Sequence, residues 1–233
     1  MNDFENASSV LLLGGTSSLA PQIITKFLSE GYSITATYRN LNKCQQYSNS
    51  ISWIHLDLNS RDSVSEFFAQ IAKQDFERII VLIGATAKME NNEYDMSALY
   101  TYYENHISAL HYLIRRSCAH LKEVGNLVAL SSRSGSHPSF DAHYSASKGA
   151  LESLIRSIAP KLLDSQSVIC LAPSLIENSE MYFEMTPSNI EKHRSRSHQK
   201  LLSINEVSDF IFELTPRVTR IMNGRTIPLG PDY

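Results

Sequence analysis

Val10-Leu11-Leu12-Leu13-Gly14-Gly15-Thr16-Ser17-Ser18-Leu19-Ala20 is the stretch on which the fold turns. Four apolar residues without alternation mark a short strand covered on both faces, as in the middle of a parallel sheet. Gly14 and Gly15 end it, and small residues lead into a segment with Ile23, Ile24, Phe27 and Leu28 at helical spacing. Gly31 is placed to stop that helix. A buried strand, a turn of small residues and an amphipathic helix form the first half of a βαβ unit.

Outward from this unit the same alternation continues. Strands are predicted at 33–38, 53–56, 79–83, 127–130, 168–172 and 226–229. A helix over 61–73 carries Val64, Phe67, Phe68 and Ile71 on one face, and a long helix at about 97–122 is expected to be interrupted near Asn105. A further helix spans about 143–163, with Ala150, Leu151, Leu154, Ile155 and Ile158 on its apolar face. Pro160 removes a hydrogen-bond donor there, so a break is expected just before it. The last helix is predicted over 205–214. Strands separated by helices imply one doubly wound α/β domain over residues 1–233, its parallel sheet covered by helices on both faces. The irregular stretch 174–200 holds Met181, Tyr182, Phe183 and Met185. It reads either as a mobile substrate lid or as a surface excursion with two short helices.

The 233 residues are 42% hydrophobic and 19% charged, the balance of an ordinary globular domain rather than a disordered chain. A net charge of −3 argues against a nucleic-acid binder, while leaving room for a small basic pocket that holds one phosphate. Cys44, Cys118 and Cys170 have no metal-ligand spacing and no disulfide framework, so no metal is expected and the thiols read as reduced packing groups. The first nine residues lack the features of a signal peptide, and no apolar run reaches the roughly 20 residues of a membrane helix. A cytoplasmic protein without a membrane partner is the expectation.

In a doubly wound sheet, ligands bind beyond the carboxyl ends of the strands. Gly14, Thr16, Ser17, Ser18 and Leu19 stand there, where small residues let the backbone approach a pyrophosphate at a helix N-terminus. The alternative is a tight strand–helix turn with no ligand. At the end of the second strand, NAD enzymes place a carboxylate for the ribose 2′-hydroxyl. This chain has Tyr38 and then Arg39, suited to a 2′-phosphate by charge-assisted bonds, which favours NADP(H) over NAD(H). A solvated surface arginine is the competing reading. Tyr144 and Lys148, four apart on a helix, can project into one site. A phenol beside an ammonium can exchange a proton with a substrate oxygen. Ser132 lies twelve residues ahead at a strand end, with Ser131 as the alternative hydroxyl. His137 and His143 read as rim residues.

Leu130-Ser131-Ser132 and Tyr144-Ser145-Ala146-Ser147-Lys148-Gly149-Ala150-Leu151 together resemble the I-S-S…Y-S-A-S-K-x-A-L segment of the short-chain dehydrogenase/reductase family. The resemblance implies Ser132, Tyr144 and Lys148 as catalytic groups, and Lys148 as a holder of the nicotinamide ribose. It also implies Asn105 as the residue of a proton relay from the lysine. The first turn is similar to T-G-x-x-x-G-x-G with Gly14 on the first glycine, Ser18 and Ala20 on the others, and Leu13 replacing the threonine. Asp57 and Leu58 stand where the family contacts the adenine, and Gly84-Ala85-Thr86 where it has N-N-A-G. Pro173-Ser174-Leu175-Ile176-Glu177-Asn178 resembles P-G-x-I-x-T, which implies Pro173, Ile176 and Asn178 near the nicotinamide. A seven-stranded sheet, hydride transfer to a small-molecule carbonyl (or from an alcohol) and a homodimer or homotetramer through the long helices follow from it. A 3-oxoacyl thioester, including one on an acyl carrier, is the first substrate class, and a sugar or polyketide-like ketone the next. The alternative is a non-catalytic NADP-binding sensor or assembly subunit of the same fold.

Overall fold

The computed structural model describes residues 8–44, 50–85, 95–196 and 200–230. In chain order its elements are β1 Ser9–Leu13, α1 Ala20–Ser29, β2 Ser33–Tyr38, β3 Ile51–His55, α2 Arg61–Gln70 and β4 Phe76–Val81. There follow α3 Met96–Tyr103, a π-helical turn Glu104–Ala109, α4 Leu110–Ser117, β5 Leu121–Leu130 and α5 Ala142–Ile158. The chain ends with β6 Ser167–Pro173, β7 Ile176–Glu177, α6 Glu180–Glu184, α7 Pro187–Arg196, β8 Leu202–Ser203, α8 Ile204–Leu214 and β9 Thr226–Leu229. Seven strands form one parallel sheet in the order β3-β2-β1-β4-β5-β6-β9.

Strand β1 shows why its residues are apolar without interruption. Val10 and Leu12 point to one face, with Ile23, Ile24 and Phe27 of α1 and Val207 and Ile211 of α8. Leu11 and Leu13 point to the other, with Phe67 of α2, Leu113 and Ile114 of α4, and Leu151 and Ile155 of α5. Successive side chains of a strand alternate faces, so a central strand between two helical layers must be apolar at every position. Phe67 is fully buried in the second layer. Phe67→Ala is expected to lower unfolding free energy by about 3–5 kcal/mol, as read by urea denaturation.

Several boundaries differ from the sequence-based expectation. Helical structure does not continue to residue 122: α4 ends at Ser117, a 3-10 turn follows, and β5 begins at Leu121 beside Phe76. Pairing with β4, which local periodicity does not report, extends β5 well before residue 127. Leu82 and Ile83 lie beyond β4, although the Leu82 amide still donates to Leu13 O at 2.8 Å. Pro160 acts as expected, since α5 stops at Ile158 and a 3-10 turn carries the proline. Among the described residues no helix is long and apolar enough to cross a membrane.

The excursion after β6 is ordered into α6 and α7 and returns to the body through the two-residue parallel pair β7–β8. Ser179 caps α6 by accepting from the Tyr182 amide. Arg194 pairs with Glu177 at 2.8 Å, and Lys43 with Glu180 at 3.0 Å. The two short helices are therefore present, and they also cover a cavity.

Candidate active site

Two adjoining cavities open along the carboxyl ends of the strands. The larger, of about 800 Å³, borders Gly14, Thr16 and Ser17 of the first turn, Tyr38 and Arg39, Asp57 and Leu58, Gly84 and Ala85, and Asn105. The smaller, of about 340 Å³, borders Ser17, Ser18, Leu19 and Gly84, then Ser132, Tyr144, Lys148, Pro173 and Ile176. Ser17, Leu82, Gly84, Glu180 and Met181 border both, so the two form one bent cleft. Thr86 lies outside the described residues.

The first turn is built for close backbone approach. Gly14 has φ +92, a left-handed conformation that side chains other than glycine's rarely adopt, and its amide donates to Thr37 Oγ1 at 2.9 Å. Leu19 occupies the N-cap of α1 and supplies no side-chain cap, leaving the helix N-terminus to the cleft. The positive end of the helix dipole favours an anion there, although the Leu19 and Ala20 amides donate to Ser17 and Pro21 has none. At the end of β2 the Tyr38 ring packs edge-on to Trp53 and His55, while Arg39 is exposed at the cavity. Lys43, which sequence reasoning passed over, borders the same cavity. Burial raises the pKa of Asp57, but hydrogen bonds from the Asn59 amide and side chain, with the charges of Arg39 and His55, outweigh it. The net pKa is therefore below the usual carboxylate value. Asp57 Oδ1 accepts both Asn59 bonds, at 3.0 and 2.8 Å, so the carboxylate also holds the turn after β3.

Ser132, Tyr144 and Lys148 meet in the smaller cavity. Asp141 caps α5 by accepting from the Tyr144 amide at 2.9 Å, which sets the start of the helix and the phase of its tyrosine and lysine. The Tyr144 phenol shares a hydrogen bond with Ser132. Lys148 Nζ stands 5.6 Å from the centroid of the Tyr144 ring and donates to Leu130 O at 3.0 Å. The choice between the two serines is settled by packing: the Ser131 hydroxyl donates to Glu152 Oε1 at 2.8 Å in the interior.

Burial dominates the electrostatics here. It pushes the Tyr144 phenol well above its ordinary pKa, against the opposing hydrogen bond from Ser132, and Tyr102, Asp141 and Glu184 add to the rise. Desolvation is thus the largest effect on the phenol. Burial likewise lowers Lys148 to about 8, with Cys170 and Glu152 opposing it. The site therefore holds a neutral phenol beside an easily deprotonated ammonium. Gly84 makes room for that ammonium: a Cβ there would sit 2.7 Å from Lys148 Nζ.

Two expected residues stand elsewhere. Asn105 turns its amide to Asn59 Oδ1 at 2.5 Å rather than toward Lys148, and His106, next in sequence, packs against the Tyr102 ring. Asn178 is exposed, has φ 61 and borders neither cavity; it is a turn residue, a role asparagine tolerates. Ser179, one position later, is buried, borders the smaller cavity and donates to Ile176 O at 2.8 Å. The left-handed turn displaces the polar side chain by one residue, which spacing alone does not show. His137 bonds with Arg133 and Ser136, and His143 with Tyr103, in keeping with the rim reading.

Among the described residues no group of three or more His, Cys, Asp or Glu could hold a metal ion. The cleft does fit a dinucleotide, with an uncapped helix N-terminus, a left-handed glycine at the turn and a volume in the ligand-site range of roughly 300–1,000 Å³. The family model for short chain dehydrogenases matches residues 8–189. The chain belongs to the short chain dehydrogenase family, a family of oxidoreductases.

Solved structures agree on the fold of this short chain dehydrogenase. One, described as a short-chain dehydrogenase/reductase of glucose/ribitol dehydrogenase type from Brucella melitensis, has a TM-score of 0.82 at 21% identity. The match covers 95% of this chain and 94% of that one. A dehydrogenase/reductase from Sinorhizobium meliloti has a TM-score of 0.81 at 17% identity, over 95% and 93% of the two chains. BdcA in complex with NADPH has a TM-score of 0.77 at 18% identity, over 97% and 96%. No curated protein sequence matches the chain.

Proposed function

We propose that this short chain dehydrogenase reduces a carbonyl to an alcohol with NADPH. The observation that carries the reading is the buried phenol of Tyr144, hydrogen-bonded to Ser132 and set beside Lys148 in the smaller cavity. When bound, the nicotinamide supplies a hydride to the carbonyl carbon. Ser132 donates to the carbonyl oxygen and holds it near Tyr144. Tyr144 gives its proton to that oxygen as negative charge develops on it, and the Lys148 ammonium returns a proton to the phenolate. The protonated phenol is the acid that reduction uses and the phenolate the base that alcohol oxidation uses, so the same residues serve either direction.

Preference for NADP(H) is supported by the arginine at the end of β2. Arg39 borders the larger cavity, whose other cation Lys43 is paired with Glu180, and Tyr38 stands where a ribose-binding carboxylate would repel a 2′-phosphate. The fold neighbour BdcA was captured with NADPH. Arg39→Ala is expected to weaken NADPH binding about tenfold or more while changing NADH binding little, the loss of one charge-assisted contact. Fluorescence titration with both nucleotides reads this. Equal weakening for both would remove the 2′-phosphate role.

The smaller cavity is walled by Leu175, Met181, Met185 and Phe140 beside the catalytic groups, consistent with a ketone carrying an apolar or acyl portion. The deciding experiment mixes the protein with NADPH and a panel of ketones, sugars and 3-oxoacyl thioesters and follows loss of nicotinamide absorbance. Consumption of NADPH by one class identifies the substrate. Tight NADPH binding with no consumption across the panel would instead favour a non-catalytic nucleotide-binding role.

A further inference from the structure

One hydroxyl stands between two segments that enclose Lys148. β4 ends at Val81, and the Leu82 amide still pairs with Leu13 O, but Gly84 and Ala85 lie exposed along the larger cavity. Gly84 nonetheless faces the amine so closely that a Cβ would come within 2.7 Å of Lys148 Nζ. The amine has little freedom to give way, since the lysine is buried and donates to Leu130 O at 3.0 Å. The Gly84–Ala85 segment and α5 must therefore be held at a constant separation.

Tyr102, buried near the end of α3, joins them. Its hydroxyl donates to Ala85 O at 3.1 Å and shares a 2.9 Å hydrogen bond with Ser147 Oγ. Ala85 follows Gly84 and Ser147 precedes Lys148, so the hydroxyl engages the neighbour of each group in the close contact. Ser147, itself buried, donates to Tyr144 O at 2.8 Å, which carries the link on to the backbone of the catalytic tyrosine. The Tyr102 ring packs against His106, with centroids 4.6 Å apart.

We propose that Tyr102 is a positioning residue whose hydroxyl fastens the Gly84–Ala85 wall of the nucleotide cavity to α5, and so keeps Lys148 enclosed. This rests on the reductase reading, which gives Lys148 its part in the reaction. Without the hydroxyl the wall is released, water reaches the amine, and the surface against which a nucleotide packs is loosened. The titratable groups that face Lys148 are Tyr144 and Glu152 of α5, Cys170 of β6 and His106 of the π-helical turn, and Tyr102→Phe retains all of them.

Tyr102→Phe removes one oxygen and leaves the ring in place. In protein without nucleotide and labelled at lysine Cε, NMR titration assigned with Lys148→Met reads the amine directly. Burial lowers its wild-type midpoint to about 8. Entry of water is expected to raise the midpoint in Tyr102→Phe by about half a pH unit or more. Fluorescence titration is expected to show an NADPH dissociation constant raised about fivefold, the loss of one fastening hydrogen bond. An unmoved midpoint or an unchanged NADPH affinity overturns the proposal even where Tm falls, because a bond that serves stability alone shifts neither. Ser147→Ala breaks the link at its other end. It too is expected to raise the midpoint, and the double variant is expected to go no further than the larger single shift; shifts that add overturn the shared link. Absence of wild-type turnover with every carbonyl sinks the reductase reading instead, and the carbon titration, which needs neither substrate nor nucleotide, still decides whether Tyr102 encloses Lys148.

Discussion

Tyr144→Phe is expected to lower turnover by about 10²–10⁴-fold while leaving NADPH affinity unchanged. The substitution removes one oxygen from a side chain that is otherwise buried, so the ring keeps its packing on α5 and the cleft keeps its shape. What is lost is the proton that the developing alkoxide must receive. Ser132 still donates to the substrate oxygen but has no comparable supply of protons behind it. Steady-state kinetics beside a nucleotide titration separates the two effects. A variant that turns over at the wild-type rate would remove the mechanism; one that loses nucleotide binding in parallel would show that the phenol has a structural part instead.

Lys148→Met is expected to abolish turnover and to raise Tm by about 3–6 °C at pH 7. The lysine is buried, and burial brings it from an ordinary 10.5 to about 8. The unfolded chain holds the proton up to the ordinary value, while the folded chain releases it above about pH 8. Between these two values the unfolded state binds more protons, so wild-type stability rises with pH through that window. Below about pH 8 the folded state carries the full cost of an enclosed charge. Methionine has no such cost, so the pH-dependent rise is expected to vanish in the variant. Calorimetry from pH 7 to 10 reads this, and a lower Tm for Lys148→Met would refute it. The same titration predicts that wild-type reduction falls above about pH 8, as the ammonium that reprotonates Tyr144 is lost.

Stability and chemistry conflict at this position, and the surrounding sequence accommodates the conflict locally. Gly84 leaves space for the amine, Leu130 O accepts one of its protons, and Glu152 lies within electrostatic reach. Lys148 is enclosed while the nucleotide cavity beside it is open, so its charge is the natural point at which cofactor and substrate chemistry couple.

Local patterning dictates the doubly wound sheet, the helices on both sides of it and the trio Ser132, Tyr144 and Lys148. Those features are legible because their causes lie close together along the chain. A strand buried twice over must be apolar throughout, Pro160 must end a helix, and residues four apart on α5 must share a face. Packing between distant segments decides the rest. It sends Ser131 inward to Glu152 and Ser132 outward to Tyr144, though the two serines are equivalent as neighbours on paper. It makes the interruption expected near Asn105 a π turn, from which the Asn105 side chain reaches Asn59. It leaves Asn178 exposed on a left-handed turn and puts Ser179 at the cavity instead. The ionisation of the site also belongs to tertiary structure. Spacing reveals that a phenol and an ammonium are near, but only their burial in the folded chain shows that loss of water is the largest effect on each.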